Sequence, residues 1–136
     1  MIVQPDSPYK REPEHCGEML GIPDEVERSE GWAKVRMPIR PRHLQKAGVV
    51  QGGIIVTLAD YAFYRAVATV VPKERLGATV ELKMNFIAPA REGELIAESR
   101  IVHKGNRLLV ADMTITNSDG MLIAKGLGTY TLFDNR

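Results

Sequence analysis

The chain has 136 residues, enough for one domain with a sizeable core, and its 44% hydrophobic and 26% charged residues are ordinary for a globular protein. Lys and Arg number 18 against 17 Asp and Glu, so no global field draws it to nucleic acid or an anionic membrane. Cys16, the single cysteine, can make no intramolecular disulfide, and with only His15 beside it there is no metal-ligand set. No apolar stretch is long enough to span a bilayer or to form a signal-peptide core before Cys16, so the expected setting is the cytoplasm.

Residues 1–13 carry three prolines and many charges without periodicity and are expected to form an arm. Residues 21–30 are acidic, contain Pro23 and are expected to form a loop, so that an N-terminal arm and loop (1–30) precede the folded domain (31–136). Trp32 to Met37 alternates, with Ala33, Val35 and Met37 on one face and Lys34 and Arg36 on the other. That period of two predicts a half-buried strand, ended by Pro38 and Pro41.

Residues 52–71 predict one long helix. Ile54, Ile55, Leu58, Ala59, Ala62, Phe63, Ala66, Val67 and Val70 recur at three- and four-residue intervals, Gly52 and Gly53 open the run, and Pro72 follows it. Such an apolar helix must be wrapped. Residues 79–86 alternate and predict a strand with Val80, Leu82, Met84 and Phe86 facing inward, and residues 94–103, 107–117 and 121–133 are three further strand-length runs. Lys104-Gly105-Asn106 and Asn117-Ser118-Asp119-Gly120 supply hairpin chemistry between them. The pattern is α+β: a long central helix wrapped by a curved antiparallel sheet. A small sheet of this kind has open edges, and a dimer with a continuous sheet is expected.

Among residues able to do chemistry, Asp60 comes first. It is an acid in the middle of the most apolar helix, either on a solvated face or beside an apolar cavity, where it would serve as general base or nucleophile. Gly52-Gly53 either permits a tight turn into the helix or exposes backbone N–H groups able to polarise a carbonyl. His43 invites a general-base reading, although a lone loop histidine is more often a surface residue. Gln45 and Gln51 can only orient and donate hydrogen bonds. Arg100, His103, Lys104 and Arg107 cluster around one hairpin, with Arg91 nearby in sequence, as a solvated turn or a phosphate-binding patch. No Ser/His/Asp or Cys/His arrangement, Walker loop or dinucleotide fingerprint is present.

Taken together these residues resemble the hotdog thioesterase superfamily, in the branch of the phenylacetate-pathway thioesterase and the mammalian acyl-CoA thioesterase like it. The family pattern Asn-x-x-Gly-x-x-His-Gly-Gly, followed by Thr-Leu-x-Asp on a helix, reads here Gln45-Lys46-Ala47-Gly48-Val49-Val50-Gln51-Gly52-Gly53 and Thr57-Leu58-Ala59-Asp60. The resemblance continues through residues 79–90, 104–107 and 124–129, and covers about residues 31–133. It implies a hotdog fold and hydrolysis of acyl-CoA thioesters by a cytoplasmic homodimer or homotetramer. Coenzyme A is then part of the substrate, and no cofactor, metal, nucleic acid or membrane is implied.

By the same resemblance Asp60 is general base or nucleophile, and the Gly52 N–H polarises the thioester carbonyl. Gln45 helps hold the carbonyl or water, and the Thr79 hydroxyl assists the acid. Gln51, Gly53, Phe86, Ile87, Ala88, Pro89, Arg91, Lys104 and Arg107 fall among the substrate-binding positions, and the site lies between two subunits. Gln51 stands where the family has His, and Gln45 where it has Asn. Those two exchanges motivate an alternative, a non-catalytic hotdog protein that binds or senses acyl-CoA.

Overall fold

The computed structural model describes residues 15–24 and 26–133. The arm expected over residues 1–13 lies outside the described residues. In the stretch expected to be loop, residues 21–30, a short strand β1 (Glu27–Ser29) pairs back on β2 (Trp32–Pro38) across the turn at Glu30 and Gly31. Ahead of it, α1 (Cys16–Leu20) is capped by the His15 side chain, and Gly21 ends it at φ 74°, where glycine has no Cβ penalty.

The long helix, α2, is Gly52–Ala68. Its buried residues Ile55, Leu58, Ala59, Ala62, Phe63, Ala66 and Val67 form the predicted apolar stripe. It stops three residues short of Val71. The Thr69 hydroxyl donates to the Ala66 carbonyl at 2.6 Å and accepts the Gly31 N–H at 2.8 Å, while Pro72 bars the residue before it from helical geometry.

Around α2 the strands run in the order β1-β2-β4-β5-β6-β3, every pair antiparallel. They are completed by β3 (Leu76–Phe86), β4 (Glu94–Lys104), β5 (Leu108–Asn117) and β6 (Leu122–Leu132). The alternation of β2 holds, since Ala33, Val35 and Met37 are buried against the helix. At the β5–β6 hairpin, the Asn117 side chain accepts the N–H groups of Asp119 and Met121, and Gly120 takes a φ of 82°.

One expectation fails on β3. Val80 is 60% exposed and Phe86 56% exposed, whereas Leu82 and Met84 are half-buried. A register shift between Thr79 and Glu81 is the cause. This β-bulge inserts one extra residue and turns Val80 outward with Glu81, while Thr79 faces the helix. Phe86, at the strand's end, lies against the first turn of α2 instead of entering the core.

The helix sits close to β6 because Gly128 faces it. A Cβ there would meet the Phe63 ring at 2.7 Å and the Met113 methyl at 2.8 Å. Phe63 also packs edge-on against Tyr130, with ring centroids 5.8 Å apart. Among the described residues both ends of the sheet are left as edges, β1 short and β3 eleven residues long.

Candidate functional site

Asp60 lies at the margin of the apolar stripe on α2, half-buried, where its carboxylate reaches β3. The Thr79 hydroxyl donates to Oδ1 at 2.7 Å. That contact depends on the bulge, which turns Thr79 toward the helix. The second carboxylate oxygen stays available to a ligand or water. Beside the pair is a cavity of about 330 Å³, bounded by Asp60, Tyr61, Tyr64, Gly77, Ala78, Thr79 and Tyr130.

Tyr130 is opposite Thr79 in the β3–β6 ladder and 2% exposed. Burial pushes its phenol above the usual tyrosine range, and Tyr64 and the Asp60 carboxylate add to the shift. A hydrogen bond with the Gly77 backbone works the other way. The hydroxyl therefore keeps its proton in the wall of the Asp60 cavity. Nothing in the sequence pattern singled Tyr130 out, because an aromatic residue on a strand reads as core.

A second group of predicted residues assembles at the opening of α2. Gln51 precedes the helix and leaves its side chain exposed, making no cap. The N–H groups of Gly52 and Gly53 find no acceptor among the described residues, as expected for the first turn of a helix. The Phe86 ring packs on Gly52, where a Cβ would lie 3.2 Å from it. Segment 87–90 is laid beside this turn by bonds from the Ile87 and Ala88 N–H groups to Ile123 and from the Val50 N–H to Ala90. Gln45, Gly52, Phe86, Ile87, Ala88 and Pro89 thus line a groove of about 360 Å³, and exposed Arg91 follows directly. The Gln45 Oε1 accepts the Ala47 N–H at 3.0 Å, which leaves its amide nitrogen as the end that can donate outward.

One chain does not unite the two groups. Asp60 is eight residues beyond Gly52, about 12 Å along the helix axis, and the cavity and the groove share no residue. The β3 ladder separates them likewise. Thr79 pairs with Tyr130 near its start, and Phe86 pairs with Ala124 at its end. Lys104 and Arg107, on the β4–β5 hairpin, lie at the Asp60 end, since Leu108 pairs with Thr131 and Thr131 with Ala78. Arg75 joins them there, its guanidinium donating to the Asn106 and Phe133 carbonyls at 2.9 and 3.3 Å.

His43 is neither a surface residue nor placed as a base. It is 1% exposed, its Nδ1 accepts the Arg40 N–H at 2.9 Å, and its Nε2 therefore carries the hydrogen donated to the Leu20 carbonyl at 2.7 Å. Among the described residues no group of three His, Cys, Asp or Glu could hold a metal ion, and no helix is long and apolar enough to cross a membrane.

The fold is that of the hotdog thioesterases. Residues 47–124 match the thioesterase superfamily model, and the chain belongs to that family. It is 30% identical to mouse acyl-coenzyme A thioesterase 13 over 71% of this chain and 69% of that protein. A protein from Bacillus halodurans solved with CoA superposes at a TM-score of 0.81, with 28% identity over 93% of this chain and 83% of that one. The PaaI protein from the Escherichia coli phenylacetic acid degradation operon superposes at 0.78, with 27% identity over 88% and 85%.

Proposed function

We propose that the protein hydrolyses acyl-CoA thioesters in a site shared by two copies of the chain. The observation that carries this reading is the Asp60–Thr79 hydrogen bond at one end of β3, with the open N–H of Gly52 at the other. Strand β3 is an eleven-residue sheet edge with exposed backbone and an exposed Val80. Antiparallel pairing of two such edges about a twofold axis brings the start of one β3 beside the end of the other. Asp60 of one copy then faces Gln45 and Gly52 of its partner.

In that arrangement the thioester oxygen takes the Gly52 N–H and the Gln45 amide as donors, at the positive end of the helix dipole. Thr79 holds Oδ1 of Asp60, and the other oxygen takes a proton from water as the water oxygen bonds to the carbonyl carbon. Collapse of the oxyanion breaks the C–S bond, and the departing thiolate recovers that proton. The same carboxylate could instead attack directly, giving an anhydride that water opens. Lys104 and Arg107 of one copy, with the Phe86–Arg91 segment of the other, offer cations and apolar surface to CoA. The neighbour solved with CoA supports that ligand class. The chemistry calls for no cofactor.

Release of CoA thiol from short, medium and aromatic acyl-CoAs, with Asp60→Asn beside the wild type, tests the reading. We expect the variant to lose about 10²- to 10⁴-fold in kcat, the usual contribution of a positioned base, while folding normally. Wild-type rates in Asp60→Asn would remove Asp60 from the chemistry. The Gln45 carbonyl turned onto its own loop and the exposed Gln51 side chain, which makes no cap, favour a second reading, a binding protein. Saturable acyl-CoA binding with no thiol release would establish it instead.

A further inference from the structure

The wall of the Asp60 cavity reaches beyond the sheet and α2. Tyr61 bounds that cavity on one side, and on another it touches α1. A Cβ at Gly17 would meet the Tyr61 hydroxyl at 2.8 Å and its ring carbons at 3.1 and 3.2 Å. Real Cβ atoms essentially never sit as close as the first of these, so Gly17 is the residue that admits the phenol. Helix α1 is itself held firmly. Leu20 and Ile22 are buried, and the Leu20 carbonyl takes the hydrogen of buried His43. The Arg42 guanidinium lies over Gly21.

We infer that Tyr61 is a specificity-determining residue for the acyl group, and that α1, through Gly17, sets how far its ring stands into the cavity beside Asp60. This rests on the acyl-CoA reading above, because it assigns that cavity to the acyl chain. His43 then has an indirect part in selectivity, since it pins the helix that backs the ring. The chemistry at Asp60 is untouched, and what α1 fixes is the length of chain the cavity admits. Tyr64, which also bounds the cavity, is 43% exposed.

The test is the ratio of kcat/KM for decanoyl-CoA to that for butyryl-CoA, measured with the full chain. Tyr61→Ala should raise the ratio several-fold per methylene newly accommodated, since each buried methylene is worth about a factor of four in affinity. Gly17→Ala should lower it by crowding the ring toward the cavity. The double variant Gly17→Ala/Tyr61→Phe, which removes the clashing hydroxyl and keeps the ring, should return the ratio to the wild-type value. A role in stability alone would change melting temperature without moving the ratio. Ratios unchanged in both single variants would overturn the proposal. A change in Tyr61→Ala with none in Gly17→Ala would overturn the control by α1. A wild type that hydrolyses neither substrate would overturn this inference, and one that also spares aromatic acyl-CoAs would overturn the acyl-CoA reading with it.

Discussion

A single hydroxyl decides how Asp60 is presented. Thr79 holds one carboxylate oxygen at 2.7 Å, and buried Tyr130 keeps a protonated phenol in the same cavity wall. Tyr130 also makes a prediction about pH. Its proton is held more tightly in the folded chain, by burial first and then by Tyr64 and Asp60. A raised folded value means that this stability is complete below the unfolded tyrosine value of about 10 and is lost as pH rises through the folded one. Unfolding free energy should therefore fall between about pH 10 and the folded value, and Tyr130→Phe should flatten that fall. Urea titrations at pH 8 and in steps above pH 10 check it, and parallel curves for the two proteins would contradict it. Asp60 and the Gly52-Gly53 pair were legible in the sequence because an acid in an apolar helix and two glycines at its start are local anomalies. The roles of His43 and Tyr130 were not, because their partners Leu20 and Gly77 become neighbours only through the fold.

At the scale of the element, period and punctuation carried most of the fold. Alternation placed β2 correctly, and the apolar stripe placed α2. The bulge on β3 escaped, because an extra residue leaves no mark in a clean alternation, and four residues expected to face inward became two half-buried ones. The end of α2 escaped too, since it rests on a Thr69 hydroxyl bonded to Gly31, 38 residues earlier. Packing of α2 on β6 gives a prediction at this scale. Gly128→Ala puts a methyl where the Phe63 ring and the Met113 methyl already stand. Overpacking of that kind costs about 1–3 kcal/mol. Chemical denaturation should show a lower midpoint at unchanged slope, and an unchanged midpoint would mean that Phe63 yields freely.

For the molecule as a whole, the division of the site between the two ends of β3 is the feature that a single chain leaves unexplained. Asp60, Thr79, Lys104 and Arg107 gather at one end, and Gln45, Gly52 and the Phe86–Arg91 segment at the other. The open β3 edge explains it if two copies pair there, and each dimer then holds two sites, each built from both chains. Mixing two inactive variants tests this. Asp60→Asn removes the acid. Gly52→Pro removes the N–H at the first helical position, where proline is well tolerated, and Gln51 already has the extended backbone (φ −60°, ψ 134°) that a following proline requires. In a mixed dimer one site carries both lesions and the other carries neither. Equal amounts of the two variants, unfolded together and refolded, should regain about a quarter of wild-type activity, because half of the random dimers are mixed and each has one intact site. A site contained within one chain would regain nothing, since every copy would keep its own lesion. Sedimentation of the refolded mixture as a dimer, with no recovered thiol release, would exclude the shared site directly.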